Sequence, residues 1–80
     1  MGRLGKPFGR VLRRRRQELG LSQEALSFQA EVHWTYISQI ERGVKSPTLR
    51  IIEDLAEALE IEVSVLMRMA EQESPADAGP

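Results

Sequence analysis

Trp34, Thr35, Ser38 and Gln39 lie about one turn apart in HWTYISQIERG, residues 33–43, a segment that reads as a short helix stopped by Gly43. Together they offer a broad apolar indole edge, two hydroxyls, a methyl and a carboxamide. A carboxamide can bond adenine bidentately, and an indole edge or threonine methyl can meet thymine methyls and sugars. Arg42, near the end of the segment, is a cation suited to phosphate. Packing does not need these side chains, because Val32, Ile37 and Ile40 supply the inward positions. The plainer alternative for Trp34 is a core residue folded over a neighbouring helix. His33 is placed to cap the helix or donate to phosphate. Tyr36 suits the core or a phosphate better than a base.

These residues need a scaffold that sets the tilt of their helix. Residues 1–6 lack a hydrophobic period and read as a mobile arm. Phe8, Val11, Leu12 and Leu19 form one apolar stripe of a first helix, and Gly20 stands where that helix would end in the left-handed region. Ser22 is a good N-cap for a second, short helix, and Glu24 in its first turn suits the helix dipole. The helix with the polar outward face follows after Glu31 and Val32. Thr48, after Pro47, caps a fourth helix whose stripe is Leu49, Ile52, Leu55, Ala56 and Leu59. A fifth helix is expected over about 63–71. The expected organisation is all-α, five short helices, with a domain over residues 7–72 and a disordered tail over 73–80.

Composition removes several functions. The 80 residues hold no cysteine and one histidine, so neither a thiolate nor a histidine-rich metal site is expected. No apolar run approaches the ~20 residues of a membrane span, and the arginines of the N-terminus lack the apolar block of a secretory signal, so a cytoplasmic protein is expected. No paired carboxylates, nucleophile–histidine set or phosphate-cradling glycine loop suggests an enzyme; His33, Ser38 and Glu41 all sit on one short helix. No cofactor or small-molecule ligand is expected. The net charge of −1 hides an asymmetry. Arg3, Lys6, Arg10, Arg13, Arg14, Arg15 and Arg16 open the chain without an acid. Residues 53–80 carry eight acids against Arg68 alone. This suggests a basic face for a polyanion and an acidic face turned away from it, with two merely solvated helix surfaces as the alternative.

Two helices joined by a tight turn, SQEALSFQA–EV–HWTYISQIERG, form a helix-turn-helix arrangement, whose second helix can enter the major groove of double-stranded DNA. Ala25, Leu26, Val32, Ile37 and Ile40 would lock the two helices together. Residues 8–66 resemble the Cro and lambda-repressor-like, XRE-type helix-turn-helix family in LRRRRQELGLSQEALS, YISQIERGVKSPTL and IIEDLAEALEI. The resemblance implies base reading by Trp34, Thr35, Ser38 and Gln39. It implies phosphate contacts from Tyr36, Arg42 and Lys45, and from Gln23, which would also buttress the reading helix; Arg16 joins the phosphate candidates. It further implies an Arg16–Glu41 pair tying the first helix to the end of the third. The family usually has glycine where this chain has Glu31 and Glu60, and a capping serine at His33. A left-handed Glu31 would cost roughly 1 kcal/mol or more relative to glycine.

Some apolar residues fall outside the core stripes: Ile51 and Ala58 on the fourth helix, Val65 and Met69 on the fifth. They are expected to pack against a second copy, the alternative being a wider core stripe. A homodimer would read a near-palindrome with its helices one DNA turn apart. No separate ligand-binding or oligomerisation domain is expected in the remaining residues. Small repressors, DNA-binding antitoxins that act through a protein partner and restriction–modification controller proteins are the types this size resembles, the last favoured by TYISQIERG and the fifth helix.

Overall fold

The computed structural model describes residues 2–73. Five helices follow one another: α1 (Gly5–Glu18), α2 (Gln23–Ala30), α3 (Trp34–Glu41), α4 (Leu49–Ala58) and α5 (Val63–Glu73). No strand occurs among the described residues, as the all-α expectation requires. α1 begins at Gly5, so the last two residues of the expected arm are helical. α5 runs two residues beyond its expected end and takes Glu73 from the expected tail; residues 74–80 of that tail lie outside the described residues.

The caps are local chemistry. The Ser22 hydroxyl accepts the Ala25 N–H at 2.9 Å, and the Thr48 hydroxyl accepts the Ile51 N–H at 3.2 Å. The first four helices end in one way. Beyond each end a residue has positive φ, and the next N–H reaches back five residues: Leu21 to Arg16, Val32 to Ser27, Val44 to Gln39 and Ile61 to Ala56. Glycine supplies the left-handed residue twice, Gly20 and Gly43. Glutamate supplies it twice, Glu31 (φ 58°) and Glu60 (φ 57°). A side chain is strained there, and the helix-end hydrogen bonds hold it in place.

Phe8, Val11 and Leu12 of α1 meet Leu26, Ile37, Ile40, Leu55, Leu59 and Leu66 in one core. Each such apolar side chain contributes about 1.5–3 kcal/mol by leaving water. Leu49 departs from its expected place in the α4 stripe. It is 68% exposed, because the first turn of α4 stands clear of the core that Leu55 and Leu59 reach. Ala25 is half-buried rather than inward, and Ala30 provides the buried small residue of α2. The close approach that sets α1 on α3 comes from Gly9. A Cβ there would collide with the carbonyl oxygen of Ile40 and lie 2.6 Å from that of Glu41. Nothing in the local pattern around Gly9 marks this contact.

The charge asymmetry resolves differently from the expectation. Arg14 pairs with Glu73 at 2.7 Å, Arg10 with Glu73 at 3.4 Å and Arg3 with Glu71 at 3.5 Å. Arg15 donates to the carbonyls of Leu59 (3.1 Å) and Glu60 (3.4 Å), closing the C-terminal end of α4. The basic α1 and the end of acidic α5 thus meet each other instead of facing apart. Arg14 and then Arg10, by hydrogen bonds and charge, hold the Glu73 carboxyl below its ordinary range, against a smaller opposing push from burial.

Candidate nucleic-acid interface

α3 is divided lengthwise. Ile37 and Ile40 are fully buried on its inner side, and Trp34 and Thr35 stand out at its N-terminal end. Trp34 is 48% exposed, so it is not the core residue of the plainer alternative. Ser38 and Gln39 are half-buried along the same helix. The four candidate readers therefore share the outer surface of α3, with the fuller exposure at its tip.

The tip is held by His33. Its Nδ1 accepts the Thr35 N–H at 3.1 Å, an N-cap made by an imidazole in the place a hydroxyl usually fills. Its ring stacks beside the Trp34 ring, offset, with centroids 6.3 Å apart and planes 24° apart. The far end is held by charge. Arg16 meets Glu41 through two bonds, Nε to Oε2 at 2.6 Å and Nη2 to Oε1 at 3.0 Å, and its Nη1 donates to the Leu21 carbonyl at 2.8 Å. Gln23 Nε2 donates to Glu41 Oε1 at 3.0 Å. Both partners of the ion pair are nearly buried, Glu41 the more so. The Arg16–Glu41 tie is thus present, and Gln23 bonds the same carboxylate at the end of α3. Arg16 as a phosphate contact is corrected: its guanidinium is buried and committed on three nitrogens within the protein. No buried side-chain polar atom lacks a partner among the described residues.

Arg42 and Lys45 are exposed beyond the end of α3 and pair with no acid among the described residues. Tyr36 is half-buried against the core, and its hydroxyl donates to the Ser46 carbonyl at 3.4 Å, pinning the loop that carries Lys45. Lys6, which sequence reasoning left in the arm, is exposed and backs onto Gly43, where its Cγ lies 2.5 Å from where a Cβ of Gly43 would be. The long-range fit between α1 and the end of α3 brings it there. Phe28 was also passed over. It is 86% exposed on α2, consistent with its place opposite Leu26 and Ala30 on that helix.

The four dimer candidates behave unequally. Ile51, Ala58 and Met69 are partly buried against the chain's own core, in keeping with a wider stripe. Val65 is half-buried without belonging to that cluster. No group of three or more metal-ligating side chains occurs among the described residues, and none of their helices is long and apolar enough to cross a membrane.

The model of the Helix-turn-helix family matches residues 12–66. The control protein C.BamHI of Bacillus amyloliquefaciens is 39% identical over 61 residues, 75% of each chain. The transcriptional regulator ClgR of Mycobacterium tuberculosis is 38% identical over 77 residues, 90% of this chain and 69% of its own. The restriction–modification controller protein C.Esp1396I, solved as a tetramer in complex with its natural 35-base-pair operator, superposes with a TM-score of 0.82 at 30% identity, covering 91% of this chain and 96% of its own. The chain belongs to the helix-turn-helix family, with the five-helix lambda-repressor-like fold, and it is a non-enzymatic DNA-binding transcriptional regulator.

Proposed function

We propose that the chain acts in the cytoplasm as a homodimeric regulator of the controller or repressor type, with α3 of each copy in the major groove of a near-palindromic operator. One observation carries this reading: on a single eight-residue helix, the apolar side is sunk in the core while Trp34 and Thr35 are left bare at its tip. Trp34, Thr35, Ser38 and Gln39 face the bases. His33, Tyr36, Arg42 and Lys45 hold the backbones, with Lys6 added beside Gly43, and Gln23 reaches a phosphate from the start of α2. The oligomeric, operator-bound state of C.Esp1396I supports an assembly of this kind. C.BamHI favours a controller, and ClgR leaves room for a regulator of other genes.

The test is binding to duplexes selected from a random pool. Thr35→Ala and Gln39→Ala should each lose about 1–3 kcal/mol on the selected sequence and little on random DNA. Arg42→Ala and Lys45→Ala should weaken both and make the salt dependence shallower. Equal losses on selected and random duplexes for Thr35→Ala and Gln39→Ala would refute base reading by those residues. Light scattering that gave the mass of a single chain at micromolar concentration would remove the dimer.

A further inference from the structure

His33 stands where α3 begins, and it makes two contacts that no serine could make together. Its Nδ1 accepts the Thr35 N–H at 3.1 Å, and its ring stacks beside that of Trp34, centroids 6.3 Å apart. A ring nitrogen that accepts carries no proton. Accepting in this way takes the neutral imidazole, with its one proton on Nε2. Protonating Nδ1 would end the cap, leave the Thr35 N–H without its partner and place a cation at the positive end of the helix dipole. Glu31 is the one charged group that shares the hollow beside His33, lined otherwise by Ser27, Phe28 and Val32. α3 carries no charged side chain before Glu41, at its far end.

We infer that His33 is the positioning residue of the reading helix: its neutral ring fixes Trp34 and the first turn of α3, so that preference for the operator sequence is linked to protonation. The inference rests on the reading of α3 as the base-reading helix. The linkage has a definite sign. An imidazolium is attracted to phosphates, so acid should sustain or strengthen binding to random DNA. The same proton loosens the tip that reads bases, so the margin of operator over random DNA should shrink.

The chain provides its own reporter, since Trp34 is its one tryptophan. An imidazolium in contact with an indole quenches its emission far more than a neutral imidazole does. In DNA-free protein, Trp34 emission should fall as pH is lowered from about 7.5 to about 5.5. His33→Asn, which can cap through its side-chain oxygen without titrating in this range, should show no such step. On duplexes, the operator-to-random ratio of the natural chain should fall about fivefold between about pH 7.5 and 5.5, the weight of one N-cap. His33→Asn should hold its ratio at both pH values. His33→Ala should have the lowered ratio at both. Flat emission in the natural chain, an operator ratio indifferent to pH, or the same pH step surviving in His33→Asn would each overturn the inference. Emission that titrates only in the natural chain, with no preference for any duplex at either pH, would uphold the cap and stack while bringing down base reading by α3.

Discussion

The two ends of α3 are held by different means. The C-terminal end is anchored inside the protein: Glu41 takes two bonds from Arg16 and one from Gln23, and Gly9 lets α1 press against its last carbonyls. The N-terminal end projects, secured by one imidazole cap and a ring stack. The anchor sets the tilt of the helix on the body of the domain. The tip is left free of packing demands, so on the proposed reading its side chains can be chosen for the bases they meet. On the proposed reading, the anchor and the most exposed of the reading side chains thus lie at opposite ends of eight residues.

Glu41→Ala should have the largest effect. It strands the Arg16 guanidinium in a nearly buried site, a change that costs about 3–5 kcal/mol. Denaturant unfolding measures it, and a loss under 1 kcal/mol would mean that α3 is not anchored there. Replacing both members with apolar residues, Arg16→Met with Glu41→Leu, should recover much of the loss, because neither charge then remains buried without its partner.

Gly9→Ala tests the other half of the anchor. The added methyl meets backbone carbonyls of α3, which cannot swing aside as a side chain could. Overpacking of this kind costs about 1–3 kcal/mol. A lowered melting temperature is expected, together with weaker operator binding in protein that remains folded, because α1 and α3 must separate. Unchanged stability would show that the two helices sit less tightly than the geometry requires.

The contrast between anchor and tip also separates what the sequence made legible from what it did not. Ser22, Thr48, Gly20 and Gly43 act on backbone groups within five residues, so their roles follow from position alone. The core stripes of α1 and α3 follow from a period of 3.6. The Arg16–Glu41 tie spans 25 residues. It was expected only through resemblance to a family, since no local rule joins those two positions. The partners of Arg10, Arg14 and Arg15 on α5 and at the end of α4 had no comparable guide, so the arginines of α1 read as a free basic face. Leu49 fits the α4 period and is still exposed, because a period fixes a face and says nothing about how far along the helix the core extends. The fit of Gly9 against α3 was invisible for the reason that applies to Arg14 and Glu73: it depends on how whole helices meet.

Glu31 and Glu60 allow a smaller and more selective test. Both are left-handed, both close a helix with the same hydrogen bond, and both line one groove between α2 and α4 with Asp54, Glu57 and Arg50. Glycine at either place relieves the strain on the side chain, offset in part by the greater freedom of glycine in the unfolded chain. Glu31→Gly and Glu60→Gly should each raise stability by up to about 1 kcal/mol, a few degrees in melting temperature for a domain of this size. Only Glu31→Gly should alter operator preference, since Glu31 lies in the turn that aims the tip of α3 and Glu60 does not. Equal effects of the two on DNA binding would remove the turn from the account of the tip.

The smallest effect belongs to Glu73, which takes no part in α3. Arg14 and Arg10 lower its carboxyl below the ordinary range, so the folded chain holds that proton less readily than the unfolded chain. The contribution is therefore present in full above the unfolded carboxylate range. It declines as acid protonates the unfolded chain first, and it is gone once pH has fallen through the lowered native value. The pair is partly open to water and screened by salt, so the slope it adds to the acid limb should be slight and should fade further at high ionic strength. Glu73→Gln should flatten that slope without changing binding to the operator at neutral pH. A marked loss of operator binding in Glu73→Gln would show that the contact between α1 and α5 reaches the tip of α3, and the separation of anchor from tip would no longer hold.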